Sequence, residues 1–265
     1  MGVTITQVDA FTSQLFAGNP AAVCLLPEPA DETWMQHLAL EMNLSETAFL
    51  TRLSSDRFAL RWFTPVVEVD LCGHATLASA HVLWDEGHVA PDVPLRFETR
   101  SGVLGAERRD DWIELDFPAE PDEPVLPPAG LIEALHVDAR YVGRNRFDCL
   151  VEVDTEATVR AVAPDFSRLR EVDVRGTIVT SPADTDGFDF VSRFFAPTAG
   201  IDEDSVTGSA HCCLGPFWQR RLGRTEFTAY QASRRGGVVR IKLADDRVRL
   251  SGQAVTVFRA ALTRP

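Results

Sequence analysis

Apolar and polar positions alternate in short runs along most of the chain. This two-residue period predicts β-strands over residues 21–26, 58–63, 95–99, 112–117, 149–153, 177–180, 188–195, 238–243 and 255–261, with a further alternating run at Val3 to Asp9. Two stretches break the period. Residues 75–84 and 210–218 are small or apolar on nearly every face, and each is followed by a helix-ending glycine, Gly87 and Gly223. A helix without a polar face must be enclosed, so the pattern predicts strands curled about a central helix, twice over. Two further helices are expected over residues 31–42, with Asp31 as N-cap, and over residues 131–135.

An internal echo supports the duplication. Arg61-Trp62-Phe63-Thr64-Pro65 recurs 132 positions later as Arg193-Phe194-Phe195-Ala196-Pro197, and each copy leads through an acidic stretch to a glycine that opens a buried helix, Gly73 and Gly208. The stretch 118–128 carries prolines at 118, 121, 124, 127 and 128 and reads as a linker. The expected organisation is an N-terminal lobe over residues 1–117, to which a C-terminal strand around 253–265 returns, and a second lobe over residues 118–252. The fold class is α+β.

Composition narrows the function. The 265 residues carry 39 acidic against 26 basic side chains, a formal charge of −13, which repels phosphate backbones and anionic lipid. Neither nucleic acid nor a membrane is expected as a partner. Five cysteines, with no Cys-x-x-Cys pair and no His/Cys spacing of a zinc site, read as reduced thiols; no metal is expected. With no leader-like start and no apolar run of membrane length, the expectation is a cytoplasmic protein. No glycine-rich phosphate motif follows a strand, so no cofactor is expected.

The two glycine-led helix starts are the chemically informative features. If they face one another, the backbone N–H groups of Gly73, His74, Gly208 and Ser209 converge into an anion site that needs no Arg or Lys, suited to a small carboxylate substrate. Glu46 opens a strand between apolar neighbours that would desolvate its carboxylate, and is the acid/base candidate. Its alternative is an ordinary strand-edge carboxylate. His74 and Asp204, at or just before the helix starts, are candidates to share its work; their alternatives are helix-start residues favoured by the dipole.

Several segments together resemble the PhzF-like isomerases, related to diaminopimelate epimerase. They are Val8-Asp9-Ala10-Phe11, Phe16-Ala17-Gly18-Asn19-Pro20-Ala21-Ala22-Val23, Asn43-Leu44-Ser45-Glu46-Thr47, Cys72-Gly73-His74-Ala75-Thr76, the run from Glu203 to His211, Gln231-Ala232-Ser233-Arg234-Arg235-Gly236-Gly237, and Gly252-Gln253-Ala254-Val255. The resemblance implies a diaminopimelate epimerase-like fold of two similar lobes, each a curved, mostly antiparallel sheet around a central helix, with a cleft between them and a homodimer. It implies Glu46 as the catalytic glutamate, with Asp204 and His74 beside it. Gly73, Gly208, Ser209, Thr207 and the motif asparagine Asn19 would bind substrate.

The implied activity is a cofactor-independent proton shift, like that of a trans-2,3-dihydro-3-hydroxyanthranilate isomerase, in a biosynthetic, secondary-metabolite setting. Two alternatives compete with it. One is a cysteine-type amino-acid epimerase or racemase, in which Cys72 would need a second thiol where Asp204, Ser205 and Val206 stand. The other is a non-catalytic binding or interaction protein.

Overall fold

The structure is a computed structural model that describes residues 3–263. The chain divides into two compact units, one comprising residues up to Asp116 together with those from Ser251 onward, the other Phe117–Leu250. In chain order the elements are β1 (Thr4–Ala10), β2 (Asn19–Leu26), α1 (Glu32–Met42), β3 (Glu46–Arg52), β4 (Arg57–Phe63), β5 (Glu68–Val69), α2 (Gly73–Asp85), β6 (Leu95–Thr99), β7 (Gly102–Arg109) and β8 (Trp112–Pro118). The second unit contributes β9 (Glu123–Pro124), α3 (Leu131–Leu135), β10 (Tyr141–Arg144), β11 (Asp148–Glu152), α4 (Glu156–Ala161), α5 (Phe166–Leu169), β12 (Gly176–Pro182), β13 (Phe190–Ala196), β14 (Ile201–Asp204), α6 (Gly208–Leu222), β15 (Glu226–Gln231), β16 (Gly237–Ala244) and β17 (Arg247–Gly252). The last strand, β18 (Ala254–Ala261), pairs with β1 in the first unit.

Both units are built on one plan. In the first, β2 runs parallel to β3, β3 antiparallel to β4, β4 parallel to β6, and β6 antiparallel to β7. In the second, β11, β12, β13, β15 and β16 repeat that series of directions. Each parallel pair needs a crossover, supplied by α1 and then α2 in the first unit, and by α4 with α5 and then α6 in the second. The echo residues occupy the same place in both, because Phe63 lies opposite Thr47 and Phe195 opposite Thr177. Each echo arginine grips the glutamate of the following acidic stretch with both arms of its fork: Arg61 meets Glu68 at 2.7 and 2.6 Å, and Arg193 meets Glu203 at 2.7 and 2.9 Å.

The two apolar helices are enclosed, as their composition requires. In α2 nearly every residue from His74 to Trp84 is buried, and its two interior hydroxyls are spent inside the helix, Thr76 on the Cys72 carbonyl and Ser79 on that of Ala75. In α6 the aromatic rings of Phe217 and Trp218 lie in the core, and Gly223 closes the helix at a positive φ of 66°. Asp31 caps α1 through the backbone N–H groups of Thr33 and Trp34.

The proline-rich stretch is not a free tether. Proline removes its own N–H only, and the residues between keep theirs: Ala119 donates to Asp246, Glu120 to Cys212 and Val125 to Val142. Asp122, buried there, accepts from Arg220 at 2.5 Å and from the Tyr141 hydroxyl at 2.6 Å. The strand β7 escapes the periodicity reading because only Leu104 and Ala106 along it are buried. Among the described residues no helix is long and apolar enough to cross a membrane, and all five cysteines are free.

His211, in the first turn of α6, is fully buried and donates from Nδ1 to the Thr207 carbonyl at 2.8 Å. Burial pulls its pKa from 6.5 down to about 4, more than the carbonyl bond restores. The unfolded chain therefore takes up this proton first. Stability is full above pH 6.5 and falls as the pH drops toward 4, by up to ~3 kcal/mol from this group. Urea unfolding of His211→Gln across that range should show a flatter pH slope than the parent protein.

Candidate active site

The first cluster is assembled by three neighbouring elements of one unit. Glu46 is the first residue of β3, opposite Ala21 on β2; Asn19 opens β2; Gly73 and His74 are the first two residues of α2. The Glu46 carboxylate Oε2 lies 3.1 Å from His74 Nε2, and the Asn19 amide lies 3.1 Å from His74 Nδ1. Cys72 Sγ sits 3.5 Å from the same Nδ1. Glu46 Oε2 is buried, yet its contact with the imidazole is not aligned as a hydrogen bond and no other donor reaches it. The ring is thus flanked on both nitrogens.

Burial would lower the pKa of His74, but Cys72 and the Glu46 carboxylate beside it outweigh that and hold it well above the usual imidazole value. The opposite holds for Cys72. Burial, reinforced by the Glu46 charge, pushes the thiol up to about 11, so it is protonated at neutral pH. Donor atoms of Glu46, Cys72 and His74 lie within 4.8 Å of one another, a set that a divalent cation could use. Glu46 and Asn19 already occupy both edges of the ring, and the sulfur holds its proton, so the arrangement fits proton transfer better than ligation.

The second cluster lies in the other unit. Thr207 is the N-cap residue of α6 and directs its hydroxyl to Asp204 Oδ2 at 2.6 Å; Gly208 and Ser209 open the helix. Neither Cys72 nor Thr207 caps its own helix with its side chain, in contrast to the caps of α1, α4 and α5. The first N–H groups of α2 and α6 are therefore left without that partner, the condition under which a helix start takes an anion.

The geometry alters two expectations. An anion site free of Arg or Lys does not describe the α6 start, because Arg175 Nη2 lies 3.1 Å from the Ser209 hydroxyl while its fork holds Asp148 at 2.8 and 2.6 Å. Nothing in the spacing of Arg175 signals this, since a parallel β-pair brings it to Asp148 from 27 residues away. The counterpart of Cys72 is Thr207, not residues 204–206, since each is the residue directly before its helix. A two-thiol mechanism thus has a hydroxyl in its second position and a protonated thiol in its first. The counterpart of Glu46 is Gly176, each preceding the threonine that faces an echo phenylalanine, and a Cβ there would press into the Phe194 ring. A carboxylate thus stands at this strand position in the first unit and a glycine in the second.

Comparison with known proteins identifies the family and the fold. Residues 8–260 match the PhzC-PhzF family, described as phenazine biosynthesis-like protein. An uncharacterized isomerase of Halalkalibacterium halodurans is 57% identical over 99% of both chains. The solved structure of a PhzF-family phenazine biosynthesis protein from Enterococcus faecalis superposes with a TM-score of 0.94 at 41% identity, covering 99% of each chain. A probable proline racemase of Agrobacterium radiobacter K84, at 13% identity, covers 98% of this chain and 93% of its own with a TM-score of 0.68, and shows that the fold is shared with the racemases. The chain, with its α+β fold of two similarly built units, belongs to the PhzC-PhzF family of phenazine biosynthesis-like proteins.

Proposed function

We propose that the protein is a cofactor-independent isomerase that shifts a proton on a small carboxylate substrate, with Glu46 as the acid/base group. The buried Oε2 of Glu46, 3.1 Å from His74 and with no aligned donor, carries this reading. A carboxylate so placed can take a proton from a carbon of the substrate and return it to another. His74, held above its usual pKa, stabilises the anionic form of Glu46 and supplies a proton to the developing charge.

The substrate carboxylate is held, in this proposal, by the N–H groups at Gly73 and Gly208, with Ser209, Thr207 and Asn19 completing its surroundings and Asp204 sharing the acid/base work. These residues belong to two units, so the reading requires the helix starts α2 and α6 to face one substrate. A cyclic, unsaturated amino- or hydroxy-carboxylate such as trans-2,3-dihydro-3-hydroxyanthranilate fits, because its carboxylate suits the helix ends and its ring gives the migrating proton two carbons.

The test is turnover of this compound and related carboxylates in deuterated water. Deuterium should enter the product with the parent protein and equally, within about twofold, with Cys72→Ser, because a thiol that stays protonated is no base. Loss of label in Cys72→Ser would move the chemistry to the sulfur. Absence of turnover with every carboxylate tried would count against an isomerase.

A further inference from the structure

The segment from Gln231 to Gly237 plays no part in the reaction as proposed, yet Gln231 is completely buried beside the α6 start. Its Oε1 accepts the Thr207 N–H at 2.8 Å, and its Nε2 donates to the Asp204 carbonyl at 2.9 Å and to Thr207 Oγ1 at 3.2 Å. The amide cannot be turned over, because a rotated NH₂ would face the Thr207 N–H, donor against donor. With Nε2 occupying a lone pair of Thr207 Oγ1, the hydroxyl must send its own proton elsewhere. It goes to Asp204 Oδ2, 2.6 Å away.

We infer that Gln231 is a positioning residue that sets the polarity of a chain from its amide through the Thr207 hydroxyl to the Asp204 carboxylate. The inference rests on the reading of Asp204 as a residue of the active site. The turn that carries Gln231 is tied to the same loop a second time, since the Ser233 hydroxyl donates to the Ser205 carbonyl at 2.7 Å and in turn accepts from the Gly236 N–H at 3.1 Å. Gly236 is in the left-handed region at φ 65°, and a Cβ there would strike the Tyr230 hydroxyl, so the turn admits no larger residue. The corresponding place in the first unit, at the end of β6, is held by Thr99, whose hydroxyl serves its own turn, donating to the Gly102 carbonyl and accepting from the Ser101 N–H. The device therefore belongs to the α6 side alone.

The isosteric variant Gln231→Glu reads polarity rather than shape: it keeps an acceptor for the Thr207 N–H but replaces the donor by an oxygen that draws the hydroxyl proton away from Asp204. Proton NMR of the parent protein, without substrate, should show a slowly exchanging, downfield Thr207 hydroxyl resonance, assigned by its loss in Thr207→Val. It should broaden into exchange in Gln231→Glu and in Gln231→Met, with melting curves confirming that at least one of the two is folded. In deuterium transfer, kcat should fall about 10- to 100-fold with KM within about twofold, and combining Gln231→Met with Thr207→Val should cost no more than either alone. Persistence of the hydroxyl resonance in a folded Gln231 variant, or additive losses in the double variant, overturns the inference. Because the resonance needs no turnover, it separates failure here from failure of the isomerase reading.

Discussion

Glu46→Gln is expected to lower deuterium transfer by about a thousandfold without disturbing the fold. General acid/base groups contribute on the order of 10²- to 10⁴-fold, and a carboxamide of the same shape cannot take up a proton at any working pH. The fold should tolerate it because the carboxylate oxygen that faces His74 forms no aligned hydrogen bond to lose. The ring contact itself can be kept by turning the amide oxygen toward Nε2. Removing the carboxylate also removes a charge that holds His74 above its usual pKa, so thermal unfolding should show a loss of about 1–2 kcal/mol, within the ordinary range for a single substitution. A variant that keeps more than about a tenth of the parent rate would place the base elsewhere, with Asp204 the first candidate.

The largest loss of stability is expected at Trp218. Its side chain is 1% exposed, stacks on Phe190 at 5.3 Å and 13°, meets Phe217 edge-on at 5.3 Å, and donates its indole N–H to the Thr180 hydroxyl at 3.1 Å. Trp218→Ala removes the ring from between helix and sheet and leaves that hydroxyl short of a donor, for a cost of ~3–5 kcal/mol. Against a total stability of about 5–15 kcal/mol for a domain, that is enough to depopulate the second unit at moderate temperature. Trp218→Phe keeps most of the ring volume and should cost markedly less, about 1–2 kcal/mol. Chemical unfolding of the two variants beside the parent measures both; equal losses would mean that the indole hydrogen bond, and not the packing, holds the helix.

These two residues also show where sequence stops being informative. Trp218 was legible because a helix without a polar face has to be wrapped, and an apolar aromatic in such a helix faces the wrapping wherever it points. The same logic exposed the echo: Arg61 and Arg193 recur with their glutamates because each fork closes over a short return of the chain, a local pairing that spacing records. Glu46 could be placed at the head of a strand, and Gly73 and Gly208 at the heads of helices, since period, caps and glycine are local properties of the chain.

What surrounds those residues was decided elsewhere. The approach of Asn19 to His74 spans 55 positions, that of Arg175 to Ser209 spans 34, and that of Gln231 to Thr207 spans 24. Each is set by which strands lie side by side, and strand order leaves no periodic mark in the sequence. The partners of the proline-rich stretch were decided in the same way, because its backbone donors reach Asp246, Cys212 and Val142, distant residues brought near only by the packed second unit. The sequence by itself thus determined the two-fold plan and the buried helices, both consequences of local periodicity, and its resemblance to a known family pointed to Glu46 as the acid/base candidate. Only the tertiary structure decided which neighbours surround Glu46, keep the Cys72 thiol protonated and aim the Thr207 hydroxyl at Asp204, because burial and hydrogen-bond polarity exist only once distant segments have met.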